Sequence, residues 1–199
     1  MNKTCEPIRD KKKITSFLNL LRGTSERNYL VAKFQMNTGL RISDVVPVKV
    51  SDLCTPNLAF KEYFALREQK TRNRKNKREK KIRINDELKN AIRIYIKSNH
   101  LLYEDYLFGS RKSDPNGLNR PISTTQAYRV LRDAAEELGL EHFGTHSFRK
   151  TWGFWSYKES QYNIALIQDT FDHDSPKDTL RYIGINQDDK DYLYSVVQF

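Results

Sequence analysis

The chain has 199 residues, 38% hydrophobic and 12% aromatic, enough apolar material for one packed domain and too much for a disordered chain. No apolar run approaches the ~20 residues a membrane helix needs, the opening MNKTCEPIRD lacks an apolar signal core, and Cys5 and Cys54 are too few for a disulfide framework or a four-ligand zinc site; a soluble chain in a reducing cytoplasm is expected. Of the net charge of +10, the 17 residues from Arg67 to Arg83 hold +8, as ten Lys/Arg against Glu68 and Glu79. Such focusing is the footprint of a polyanion, most simply nucleic acid; the competing reading is a solvated loop or a localisation tag.

Along the chain, Ile14, Phe17, Leu18 and Leu21 predict an amphipathic helix over 11–22 with Gly23 as its stop. A second helix is predicted over 25–37, ended by Gly39, and a short one from Arg41 to Pro47. The period then changes: LAFKEYFAL (58–66) and KKIRIND (80–86) read as strands of a hairpin with a long cationic tip, with a third strand near 48–50. Asn85 is placed to cap a helix carrying Leu88, Ile92 and Tyr95. STTQ (123–126) opens another, closed by Gly139. Thr145 is predicted to cap a helix containing His146 and Arg149, whose Trp152, Phe154 and Trp155 belong in the core. SPKD (175–178) offers a Ser cap with Pro at the first helical position, opening the helix of Tyr182. The tail YLYSVVQF (192–199) is apolar and strand-like, a strand or short helix needing burial. The fold class is mainly α with a small antiparallel β-sheet, in a single domain 1–199: leading segment and first helix to 24, basic hairpin 58–86, tail 186–199.

Three short stretches carry the chemistry. TGLRISD puts Arg41 at a turn-to-helix junction; THSFRKTWG puts His146 and Arg149 at i and i+3, neighbours on a helix; DHDSPKDTLRYIG puts His173 nine residues before Tyr182. Each alone is weak. In this order, with a basic hairpin between the first two, they resemble the catalytic domain of the tyrosine recombinases, the phage-integrase family, from about residue 25 to 185. The resemblance implies Arg41 and Arg149 as the family arginines, His146 and His173 as its histidines, Tyr182 as nucleophile and Lys70 as the hairpin lysine, with Asp44 a carboxylate supporting the first arginine. The usual Leu-Gly-His reads Phe171-Asp172-His173 here, and Pro47 interrupts a helix the family more often continues. The family's separate helical core-binding domain of ~100 residues has no counterpart in this chain, which is either a catalytic fragment or a protein that works without half of the usual DNA clamp.

The implied reaction is attack of the Tyr182 phenol on a DNA phosphodiester, giving a 3′-phosphotyrosyl bond and a free 5′-hydroxyl without ATP, metal or other cofactor. Permanently charged planar guanidiniums suit the developing charge on the non-bridging oxygens. His146 is the proton acceptor for the phenol, Lys70 the acid for the leaving 5′-oxygen and His173 a donor to a non-bridging oxygen. Arg72, Arg74, Lys75, Lys77, Arg78, Lys80 and Lys81 are expected to contact DNA backbone phosphates. Double-stranded DNA is the expected partner, with self-association as a tetramer on it and exchange of the C-terminal tail between protomers. Rival readings are a type IB topoisomerase-like relaxation activity, a DNA-binding relative without catalysis, and a metal nuclease using Asp169, Asp172 and Asp174, which as acids at helix ends have an ordinary capping role. His142 and His146 form an i, i+4 pair that could mimic a zinc pair, but no third ligand and no intervening Glu of the metalloprotease type supports it.

Overall fold

The computed structural model describes residues 5–68, 79–110, 119–185 and 187–196. Asp10 opens the first helix, α1 (Lys11–Thr24), by accepting from Lys12 N–H, and α1 buries Phe17 and Leu21. Gly23 does not stop it. The break falls at Ser25, whose extended backbone both closes α1 through a bond to Leu21 O and starts α2 (Glu26–Thr38). A glycine inside a turn can stay helical, whereas a residue with φ −164° and ψ 116° cannot. α2 is buried from Leu30 to Gln35 on almost every face, as expected of a helix running through the middle of a core. Helices α1, α5 (Asp86–Ser98), α6 (Thr124–Glu137) and α7 (Ser147–Glu159) pack around it. Gly39 ends α2 at φ 67°, as its position in the sequence suggests.

Two single turns follow, α3 (Ile42–Val45) and α4 (Val50–Leu53). The third strand expected near 48–50 does not form: Lys49 makes one isolated bridge to Tyr106, and Val50 already starts α4. Among the described residues the sheet has two strands, β1 (Phe64–Leu66) and β2 (Lys80–Ile82), antiparallel with Leu66 opposite Lys80. Both are shorter than the periodicity suggests. Residues 54–61 fold back on α4 through a turn with Leu58 at φ 60°, and Asn85 accepts from Leu88 N–H to begin α5, so β2 has no room to continue. The hairpin tip, 69–78, lies outside the described residues.

Ser123 caps α6 by accepting from Gln126 N–H. Thr145 does not cap α7; His146 occupies that position, and Ser147 Oγ accepts from Gly144 N–H to hold the turn. An unanticipated helix, α8 (Ile164–Phe171), starts at Asn163 and ends at Asp172 in the left-handed region. Ser175 caps α9 (Pro176–Tyr182), with the proline at the start of the first turn. The tail is helical, α10 (Gln187–Val196), the second of the two forms, strand or short helix, that its apolar sequence left open. The acidic residues that open this helix suit its N-terminus, and a lone terminal strand would leave its backbone edge unpaired.

Among the described residues the buried side chains form two clusters. The large one contains Phe17, Leu30, Phe34, Phe64, Leu131 and Phe148; the small one contains Phe154, Ile167, Phe171 and Ile183, flanked by partly buried Trp152 and Trp155. α7 contributes to both, so its first turn lies at the seam.

Candidate functional site

Arg41 reaches the seam because α2 turns back sharply at Gly39. A side chain there would sit 2.5 Å from the Trp152 ring, so only glycine permits both the left-handed turn and the contact. Arg149, in the first turn of α7, is 3% exposed; its Nη1 donates to Gly39 O at 2.7 Å and its guanidinium lies 4.4 Å from the centre of the Phe171 ring. Both arginines meet Glu68, just after β1. Arg41 Nη1 donates to Glu68 Oε2 at 2.6 Å, Arg149 Nη1 to Oε1 at 3.3 Å, and Lys80 Nζ to Oε1 at 3.1 Å. Lys80 also donates to Thr170 O at 2.7 Å, tying the hairpin to α8.

The small cluster supplies the remaining groups. The Tyr182 hydroxyl is 3.1 Å from His146 Nδ1, across 36 residues of chain. The Tyr182 ring packs edge-on against Phe171 and His173, at 5.4 and 4.9 Å between centres. His173 Nδ1 is 3.2 Å from Thr179 Oγ1, and Gln168 donates to its carbonyl. Gly153 admits this arrangement: a side chain there would meet Phe171 and Ile183 at under 3 Å.

The electrostatics follow from this packing. Burial alone would raise the Glu68 carboxyl, but Arg149, Lys80 and Arg41 together overcome it and hold its pKa below 4.5. Burial lowers the Lys80 ammonium, opposed by Glu68 and reinforced by the arginines. Burial, then Arg149 and Arg41, pull His173 below 6.5, against weaker support from Asp178 and Asp174, so the imidazole is neutral at neutral pH. Burial raises the Tyr182 phenol above 10, with Arg149 and Arg41 working the other way. In this state the phenol keeps its proton, with His146 Nδ1 at hydrogen-bonding distance from its oxygen.

Of the residues singled out in the sequence, Arg41, His146, Arg149, His173 and Tyr182 come together here. Asp44 is buried and its N–H bonds Arg41 O at 2.9 Å, and the Arg41 guanidinium donates to the carboxylate of Glu68. Lys70, Arg72, Arg74, Lys75, Lys77 and Arg78 lie outside the described residues. Lys81 is exposed on β2, but Lys80 points into the site instead of standing on the hairpin surface. His142 and His146 do not share a helix: α7 starts at Ser147, and His142 has φ 56°.

Sequence reasoning missed Glu68, counted only as an acid within a basic run, and the segment before α1. Lys150 donates to Cys5 O at 2.8 Å, with its ammonium 5.2 Å from the centre of the Tyr182 ring. Ile8 N–H donates to Thr151 Oγ1, and Trp155 donates to Ile8 O. Arg9 donates to Gly184 O and lies 3.8 Å from Asp189 of α10. This strap binds both α7 and the exit of the Tyr182 helix. No local pattern in CEPIR announces it.

Known proteins share this architecture. A family model described as the phage integrase family matches residues 9–188. The chain is 38% identical over 191 residues to the probable integrase/recombinase YoeC of Bacillus subtilis (strain 168), covering 96% of each. It is 26% identical over 180 residues to the tyrosine recombinase XerA of Saccharolobus solfataricus, covering 90% of this chain and 53% of that protein. Among solved structures, the XerH site-specific recombinase bound to palindromic difH substrate matches with a TM-score of 0.73 at 16% identity, over 98% of this chain and 53% of that one. The catalytic domain of bacteriophage HP1 integrase gives 0.60 at 17%, over 89% and 86%. The chain thus spans nearly all of the Bacillus protein and about half of XerA and XerH. A family model that runs from the strap to the start of α10, and a relative matched almost end to end, give one conclusion: this chain belongs to the phage integrase family.

Proposed function

We propose that the chain is a site-specific DNA recombinase that cuts and rejoins DNA through a 3′-phosphotyrosyl bond at Tyr182, acting as the catalytic unit of that reaction. The observation that carries the reading is the meeting of two arginines, two histidines and one tyrosine at the seam between the clusters: Arg41 just after α2, His146 and Arg149 at the start of α7, His173 just after α8 and Tyr182 at the end of α9.

The phenol oxygen attacks phosphorus and its proton passes to His146 Nδ1, 3.1 Å away. The phosphorus–5′-oxygen bond breaks as the phosphorus–phenol bond forms, so one phosphoester replaces another. Arg41 and Arg149 receive the non-bridging oxygens as charge builds on them; one such donor is worth ~3–4 kcal/mol in the transition state. With His173 Nδ1 held by Thr179, Nε2 is the nitrogen left for a non-bridging oxygen, to which it donates once the negative phosphate beside it has drawn a proton onto the ring. Lys70 protonates the leaving 5′-oxygen, and Lys80 beside Glu68 steadies the hairpin that carries it. Cationic side chains do the charge neutralisation, so the reaction is expected to run unchanged in EDTA.

The solved relatives XerH and lambda integrase are described in complex with DNA, the latter as a dimer on a core site. The same partnership is proposed here: double-stranded DNA held by the hairpin cations, and protomers assembled as a tetramer. The exposed Tyr192, Tyr194 and Val196 of α10 suit docking on a neighbouring protomer.

The test is covalent capture. Wild-type chain is incubated with suicide duplexes of randomised core sequence, and adducts that survive denaturation are sequenced. A recovered consensus site, with adducts lost in Tyr182→Phe while DNA binding persists, is the expected result. Cleavage products carrying no protein, or adducts that persist in Tyr182→Phe, refute the proposal.

A further inference from the structure

We infer that Glu68 is a positioning residue for the strand-transfer reaction: this one buried carboxylate sets the spacing of Arg41 and Arg149, and thereby the place where the phosphate oxygens are received. The inference rests on the recombinase reading above and deepens it.

Glu68 is 1% exposed and takes three cations on two oxygens, Arg41 on Oε2 and both Arg149 and Lys80 on Oε1. The cations arrive from different parts of the chain: Arg41 follows α2, Arg149 belongs to α7, and Lys80 opens β2. Two guanidiniums have only donors, so they cannot hold each other; they need a shared acceptor. Without it, a nearly fully buried Arg149 would face like charges at short range, an arrangement that drives groups apart. Glu68 itself is fixed from below. Phe64, two residues before the end of β1, is buried with its ring edge-on to Phe34 at 6.0 Å, and Leu66 pairs with Lys80 across the hairpin. The carboxylate therefore links the packed centre of the domain to the cradle for phosphate.

Simple charge arithmetic makes the opposite forecast. A negative group beside a phosphate site should repel DNA, so its removal should help binding. A variant that binds DNA at least as well but cleaves more slowly separates geometry from charge. Glu68→Gln is that variant. It keeps the shape but replaces one oxygen with an NH2 that must face a guanidinium, so it cannot accept from both arginines.

The experiment uses the full chain and a suicide duplex whose site is obtained by covalent capture. Single-turnover cleavage and DNA affinity are measured for wild type, Glu68→Gln and Glu68→Asp, on the phosphodiester and on a methylphosphonate that removes the charge at the scissile position. Glu68→Gln is expected to cleave the phosphodiester ~100-fold more slowly, with DNA affinity unchanged or higher. Most of that deficit should vanish on the methylphosphonate, which has no charged oxygen for the arginines to align. Glu68→Asp, with the charge but one methylene less reach, should fall between. A wild-type rate for Glu68→Gln overturns the inference. So does an equal deficit on both substrates, which would mark a merely structural residue. Should Glu68→Gln fail to melt cooperatively, Glu68→Asp decides by the same comparison, and a wild-type rate for it overturns the inference. A wild-type chain that forms no adduct would instead sink the recombinase reading, a result distinct from an active Glu68→Gln.

Discussion

Replacing Gly153 by alanine tests how the helix of Tyr182 is seated. In the interior of an isolated helix this change stabilises, because alanine exceeds glycine by ~1 kcal/mol in helix propensity. Here the added methyl would sit 2.6 and 2.7 Å from Phe171 ring carbons and 2.8 Å from Ile183 Cγ2. Both neighbours are fully buried and come from separate places, the end of α8 and the residue after α9, so neither can yield without moving its backbone. Overpacking a filled core costs ~1–3 kcal/mol, and two immobile partners place this site at the upper end. Offset by propensity, the net loss is ~2 kcal/mol, which for a domain of this size lowers Tm by ~4–8 °C. Phe171 also lies against the Arg149 guanidinium and the Tyr182 ring, so the shift displaces the phenol from His146. Gly153→Ala should therefore melt lower by circular dichroism and form the covalent adduct more slowly well below its Tm. A raised Tm with wild-type cleavage would show that α8 and α9 do not press on α7 as described.

Three further outcomes are expected. His173 has a folded pKa below 6.5, so the unfolded chain takes up its proton first: Tm should fall on acidification through pH 6.5, level off once folded His173 is protonated too, and lose this component in His173→Asn. Glu68, held below 4.5, adds its own loss only at more acid pH. A substrate with sulfur in place of the bridging 5′-oxygen has a leaving group that needs no proton; it should restore cleavage to Lys70→Met and not to Lys80→Met, and the reverse pattern would transfer the acid to Lys80. Changing Arg74, Lys75 and Lys77 together to Gln should flatten the slope of log affinity against log salt by about 3, read by fluorescence anisotropy, if each neutralises one phosphate.

Features that act over a few residues were legible in advance. Asn85, Ser123 and Ser175 cap the helices their neighbours suggest, and Gly39 turns the chain where TGLR places it. The motif arginines, histidines and Tyr182 meet because their spacing reflects one site. The misreadings have local causes too. Gly23 looked like a stop, but glycine only permits a break, and Ser25 makes it. Thr145 and His146 both precede α7, and capping patterns are blind to a one-residue difference that a Gly144–Ser147 bond decides. The tail left a strand and a short helix both open, and with no strand to pair with among the described residues it is helical. Glu68 was hidden for a different reason. Its role depends on where two distant arginines end up, and nothing about an acid inside a basic run distinguishes a counterion held in the interior from one bathed in water.

The division of the interior into a large and a small cluster has a mechanical corollary. Arg41 and Glu68 are anchored by the broad core around Phe34 and Phe64, whereas His173 and Tyr182 ride on a patch of only four buried hydrophobic residues. Regions with little apolar burial open at a lower free energy than the whole molecule does. On the proposed reaction, the helix of Tyr182 would detach and re-dock with a bound strand end, while the cradle formed by Arg41, Arg149 and Glu68 would keep its shape for the next exchange.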